Sequence, residues 1–216
     1  LLDQLPADME VILAQGGTRA SSMNAGAARA TARHLWFVHA DTLVGPAVVS
    51  RLREAAGTGR DEIGYCDICF DGGRIMRLTD FGVLFRSRVL GLPFGDQALA
   101  MPSALFQRLG GYREDAPYGE DHLLVWRAHQ MGVPVRPMGV VVGSSALKYR
   151  TRGWLRMTLR HLRLTIRQAW PEWRAMRKAA RDRALSGEES EGRRHLPQSG
   201  VRQVAQHAGP HPQCRD

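Results

Sequence analysis

Short runs rich in β-branched and aromatic residues alternate with stretches of helical period along most of this chain, and that alternation restricts its fold most. "MEVILAQ" (9–15), "HLWFVH" (34–39), "EIGYCDICFD" (62–71) and "VPVRPMGVVVGSS" (133–145) read as strands or extended segments. The segments between them carry helix punctuation. Residues 21–33 predict a small-residue helix with a serine cap, and Pro46 stands in the first turn of a helix that Gly57 closes. Ile75, Leu78, Phe81, Phe85 and Val89 keep helical spacing up to Gly91. "LPFGDQALAMP" is a loop leading into a short extended run, and "SALFQRLGGY" a helix closed by Gly110 and Gly111. The helix opened by Glu120 and Asp121 stops at Gly132. Strands alternating with helices predict a layered α/β sheet. The expected organisation is an α/β domain over 1–150, an arginine-rich amphipathic helical extension over 151–185, and a polar, disordered tail over 186–216.

Charge narrows the partners. The formal net charge is +9, and Lys148 and Lys178 are the only lysines among the basic residues. Such a surface attracts phosphates, anionic lipid or nucleic acid. Nucleic acid is set aside, because no aromatic stacking platform or binding module accompanies the charge. Cys66, Cys69 and Cys214 make no disulfide framework. In a strand, positions three apart point to opposite faces, so Cys66 and Cys69 are expected to be structural rather than ligands of one metal. A reducing, cytoplasmic setting fits that usage. No stretch approaches the roughly 20 apolar residues of a membrane span. The chain starts at Leu1, and only eight residues precede "MEVILAQ". A doubly wound nucleotide-binding sheet normally opens with a strand and helix before such a segment, so the expectation is a chain lacking its first unit.

The second strand raises the functional question. "HLWFVHADT" runs from apolar residues into His39 and Asp41, and a carboxylate just past the carboxyl end of a central strand sits where open α/β sheets bind ligands. In "GGTRASSMNAGAARA", a glycine-rich turn exposes N–H groups able to meet phosphate oxygens. Arg19 adds a charge, and Asn24 with Gly26 allows close approach. Read alone, a Gly-Gly turn more often serves turn geometry. Glu120 and Asp121 open a helix, either as dipole complements or with Asp121 placed to accept a proton from a hydroxyl.

Taken in order, "TRASSMNAGAARA", "FVHADT", "GDQALAMPSALFQRLGGY" and "GEDHLLVWR" resemble successive motifs of family-2 glycosyltransferases with the GT-A fold. The likeness is strongest to a bacterial subgroup with HADT at the metal-binding position and GDQ in the acceptor region. It covers roughly residues 11 to 165. The resemblance implies a GT-A-like open sheet flanked by helices, truncated at its N-terminus, and an inverting, metal-assisted transfer from a nucleotide-diphosphate sugar to an acceptor hydroxyl. By the same resemblance Asp121 is the general base, Arg19, Asn24 and Asp41 meet the donor, and Asp96, Gln97 and Glu120 hold acceptor or sugar. Asp41, with His39 beside it, would hold a divalent metal, Mn²⁺ or Mg²⁺. His39 stands where the wider superfamily has Asp.

Beyond that domain, Leu155, Leu159, Leu162, Ile166 and Trp170 form one helical stripe, and Arg156, Arg160, Arg163 and Arg167 a parallel basic one. Two readings stay open. Either the helix packs on the domain with a solvated arginine face, or residues 153–170 lie on anionic lipid at the inner face of the plasma membrane, near a lipid-linked acceptor. The rival to the enzyme is a truncated, non-catalytic GT-A remnant that binds a membrane or partner through this helix.

Overall fold

The computed structural model describes residues 2–194, with side-chain surroundings through Asp182. The described residues up to Arg177 form one compact unit, and those from Lys178 on belong to a second. After a 3-10 turn at Leu2–Gln4, the first unit carries α1 (Arg19–Arg29), β1 (His34–Trp36), α2 (Pro46–Gly57), β2 (Ile63–Asp71) and α3 (Arg74–Arg88). A second 3-10 turn, Gly95–Gln97, leads into β3 (Ala100–Pro102) and α4 (Ser103–Arg108). Then come α5 (Glu120–Gln130), β4 (Val135–Ser145), α6 (Leu147–Arg152) and α7 (Trp154–Arg194), which continues into the second unit.

The strands form one mixed sheet in the order β1-β3-β2-β4. β3 is antiparallel to both neighbours, with Ala100 opposite Trp36 on one side and Gly64 on the other. β2 and β4 are parallel, with Ile63 opposite Val135 and Asp71 opposite Ser145. Their register slips where Tyr65 faces Pro137 but Asp67 faces Val141. Gly139, at φ 75°, takes up the extra β4 residues in a conformation that suits glycine. Side chains alternate across the sheet. Leu35, Ile63, Tyr65, Leu99 and Met101 join a core with Leu105, Phe106, Leu124 and Val125 of α4 and α5. Cys66, Ile68, Ala98 and Ala100 join a second core with Val48, Val49 and Leu52 of α2. The sheet is therefore covered on both faces, an α/β architecture as the alternation required.

Four expectations change. Residues 9–15 are extended but belong to no strand, and Val11 and Leu13 are 45% and 64% exposed. Among the described residues no strand lies beside them, and a strand exists only where a neighbour takes its backbone groups. The segment is held instead through Glu10, whose carboxylate accepts from the Thr31 and Ala32 N–H groups. α1 starts earlier than 21 because Thr18, not a serine, caps it, accepting from the Ser21 N–H at 3.1 Å. Gly153, at φ 82°, splits the predicted C-terminal helix into α6 and α7. Finally, residues 186–194 of the expected tail continue α7, while 195–216 and Cys214 lie outside the described residues. Cys66 is buried and Cys69 exposed, as the strand period required.

Candidate functional site

The chemistry-bearing residues gather beyond the carboxyl end of β1, at the entry to β3, and at the first turns of α1 and α5. Past Trp36 the chain stays paired for one residue, the Phe37 N–H donating to Leu99 O at 2.8 Å. It then turns, closed by the Thr42 N–H donating to His39 O at 3.0 Å, and leaves Asp41 on the exposed corner. Thr18 fixes the start of α1 and so places Arg19. Its Nε lies 3.1 Å from Glu120 Oε1, its Nη2 3.6 Å from Asp121 Oδ2, and its guanidinium also meets His39 Nε2. One cation thus ties the β1 end to the start of α5.

Burial pushes the His39 pKa down, and the Arg19 charge pushes it further. The ring is therefore neutral at pH 7, with Nε2 accepting from Arg19. Asp96, Asp121 and Asp41 act on the same ring in the opposite sense, which puts all three carboxylates within electrostatic reach of one imidazole. Asp121 is held on both oxygens: Oδ1 accepts from the His122 N–H at 2.8 Å and Oδ2 from the Gly95 N–H. That approach requires glycine. A Cβ on Gly95 would stand 2.6 Å from both Arg19 Nη2 and Asp121 Oδ2.

Gln97, fully buried, anchors the same loop. Its Oε1 accepts from Arg86 Nη2 at 2.9 Å and from the Phe94 N–H, while Nε2 donates to Cys66 O. Arg86 stacks 3.4 Å from the centre of the Phe94 ring, and burial lowers its pKa. Asp96 bears electrostatically on Arg86, Tyr149 and His161 as well as on His39. Tyr149 and His161 are themselves 3.3 Å apart, and burial raises the Tyr149 pKa and lowers that of His161. Tyr112 lies beside Asp121, Arg19 and Glu120, and burial drives its hydroxyl well above its ordinary pKa.

Three buried polar atoms in this neighbourhood lack a hydrogen-bond partner among the described residues: Arg86 Nε, Asp96 Oδ1 and Tyr112 Oη. The Glu120 oxygen faces Arg19 at ion-pair distance but off the N–H axis. Unpartnered buried polar atoms are rare in folded proteins.

The sequence-predicted residues therefore separate. Arg19, His39, Asp96, Glu120 and Asp121 come together, with Asp41 on the rim. Gln97 supports the loop and does not face solvent. Asn24 is engaged elsewhere: its Nδ2 donates to Tyr112 O and Glu114 Oε1, both at 2.8 Å, and its Oδ1 accepts from the Tyr112 N–H at 2.9 Å. Its amide has no group left for a donor phosphate.

The metal expectation divides in the same way. Mg²⁺-like ions bind through one or two carboxylates together with substrate phosphates, so Asp41 alone fits such an ion. His39 Nε2 is taken by the Arg19 guanidinium, which leaves only Nδ1 of that ring for an ion. Among the described residues no group of three His, Cys, Asp or Glu side chains is arranged to hold an ion without such a substrate.

Sequence reasoning missed Arg86, Tyr112, Tyr149, His161 and the support behind Asp121. His122 Nδ1 pairs with Gln168 Oε1 at 2.9 Å, and His122 Nε2 accepts from Trp126 Nε1 at 3.0 Å. Gln168 Nε2, from α7, also donates to Tyr118 O and Gly119 O at the start of α5. Polar residues on inward faces of apolar-looking helices were the available signal for Arg86 and Gln168. No protein-family model matches the chain, and no curated protein matches it either.

Proposed function

We propose that the first unit transfers a glycosyl group from a nucleotide-diphosphate sugar to an acceptor hydroxyl with inversion, the activity its motif resemblance implies. The observation that carries the reading is the convergence of Arg19, Asp41, Asp96, Glu120 and Asp121 around His39, at sheet ends where open α/β folds bind ligands. In this reading Asp121 takes the proton of the acceptor hydroxyl as its oxygen attacks the anomeric carbon. The bond to the diphosphate breaks on the opposite face. Hydrogen bonds from the Gly95 and His122 N–H groups fix the carboxylate in one orientation. Arg19, about half exposed, pairs with donor phosphate and is drawn from Asp121 by it.

A divalent ion arriving with the donor would offset charge growing on the leaving diphosphate, and Asp41 is the residue that would hold it. In this reading Asp96 and Glu120, the acids beside His39 and Arg19, meet the sugar hydroxyls. The test is a thermal-shift panel of UDP-, GDP- and dTDP-sugars with and without Mn²⁺, on wild type, Asp41→Ala and Asp121→Asn. The expected result is a metal-dependent shift lost in Asp41→Ala. Asp121→Asn keeps the shift and loses turnover by about 10²–10⁴-fold, the usual contribution of a general base. Absence of any shift across the panel overturns the proposal.

A further inference from the structure

The outer faces of α3 and α7 are apolar where a solvated helix should be polar. Thirteen of the twenty large apolar side chains exposed among the described residues lie on α3, in the two residues after it, or on α7. Chance scatter does not concentrate them so. On α3 the inward side is Met76 and Ser87, while Leu78, Phe81, Phe85 and Val89 are 49–67% exposed. On α7 the inward side is Met157, Gln168, Ala169 and Met176. The stripe Leu155, Leu159, Leu162, Ile166 and Trp170 is 52–61% exposed, so the helix packs on the domain by its other side. The two helices touch where Trp154 Nε1 donates to Thr79 Oγ1 at 2.8 Å, and beside each stands an exposed leucine, Leu155 and Leu78.

Charge identifies the occupant. Between Lys148 and Arg177 the chain holds nine basic residues against one acid, Glu172. Arg156, Arg160, Arg163 and Arg167 are exposed and make no ion pair among the described residues. Arg160, Arg163 and Arg167 border a groove of about 320 Å³ that Leu159 and Leu164 also line. Arg174 and Arg177 lie over the rings of Trp170 and Trp173. Exposed leucines, phenylalanines and tryptophans beside unpaired guanidinium groups match the boundary between acyl chains and acidic headgroups. Among the described residues no helix is long and apolar enough to cross a membrane.

We infer that α3 and α7 together form a face that lies flat on an anionic lipid surface, apolar stripes in the acyl boundary and arginines among the phosphates. Vesicle binding is read without any nucleotide sugar, so it can fail or succeed apart from the proposed transfer. Through Gln168, the inward side of α7 holds the start of α5, so the helix that meets lipid also positions Asp121.

The experiment is co-sedimentation of the full chain with vesicles of phosphatidylglycerol and phosphatidylcholine, and of phosphatidylcholine alone, in 50 mM and 500 mM salt. The expected result is pelleting with the anionic vesicles at low salt only. Arg160→Gln and Arg163→Gln each weaken partitioning about fivefold, the fold-change that ~1 kcal/mol per basic residue represents. Phe81→Asp with Phe85→Asp on α3 weakens it at least as much, with the thermal melt retained because both side chains are exposed. Wild type that stays in the supernatant with anionic vesicles at low salt overturns the inference, without reference to any variant. An α3 variant that binds like wild type removes α3 from the face and overturns the two-helix form. Micromolar dimers abolished by the same substitutions, in the absence of vesicle binding, would show that the occupant is a second copy of the chain.

Discussion

Replacing Asn24 with alanine separates scaffold from ligand contact. The side chain bridges α1 and the corner at Gly110, Gly111 and Tyr112 through three hydrogen bonds, two of them to the main chain of Tyr112. Tyr112 is 2% exposed and packs its ring against Phe37 and Phe106, with centroids 5.0 and 5.4 Å apart, so its backbone cannot move out to water without disturbing the core. Leaving one buried donor or acceptor unsatisfied costs about 1–3 kcal/mol. Two such groups, with partial relaxation, give an expected loss of about 2–4 kcal/mol. The exposed bond to Glu114 adds little. For a domain of this size that loss lowers Tm by roughly 4–16 °C, at about 2–4 °C per kcal/mol. Urea unfolding and a thermal melt measure it directly. Asn24→Asp keeps the acceptor for the Tyr112 N–H but turns its other oxygen toward Tyr112 O and the Glu114 carboxylate, so it recovers at most part of the loss. A change below about 0.5 kcal/mol, the noise level of a surface substitution, would refute the reasoning and return the amide to the donor site.

Gly95→Ala forces a Cβ to within 2.6 Å of Asp121 and Arg19, and the displaced carboxylate is expected to cut turnover by about 10²-fold, with transfer assays as the readout. Gly82→Ala, in the exposed interior of α3 where a Cβ meets nothing within 4 Å, raises stability by about 0.5–1 kcal/mol in urea. Acidification destabilises the fold. Burial lowers the pKa of both His39 and His122 below 6.5, so between the folded values and 6.5 the unfolded chain binds more protons. Stability is complete above 6.5 and falls as pH drops through that window. Tm measured from pH 7.5 to 5 should decline, and His122→Gln should flatten the slope; an unchanged slope would remove His122 from the account.

The legible part of the fold was whatever local chemistry writes. Pro46, the Gly110–Gly111 pair and Gly132 marked helix limits correctly, because each acts through its own φ preference or missing donor, whereas Gly57 is the last helical residue and Gly59, at φ 62°, is the glycine that turns the chain. Glu120 and Asp121 were recognisable at the head of α5, as was Arg19 beside a glycine-rich turn. Residues 9–15 misled for the opposite reason: their apolar composition suits a strand, but pairing is a property of a neighbour. Asn24 and Gln97 misled similarly. The partners that engage their amides include residues 88 and 31 positions away, which no local pattern shows.

Periodicity alone established that α3 and α7 each carry a single apolar stripe, because side-chain spacing is intrinsic to the helix. The direction those stripes face was settled by the packed structure, where Met76 and Met157 rather than the phenylalanines and leucines turned inward. Likewise the sequence supplied the acids and the arginine of the site. Their meeting around His39, and the unpartnered atoms of Arg86, Asp96 and Tyr112 beside them, exist only once the sheet brings segments far apart in the chain to one edge, where electrostatic reach depends on distance through space rather than along the backbone.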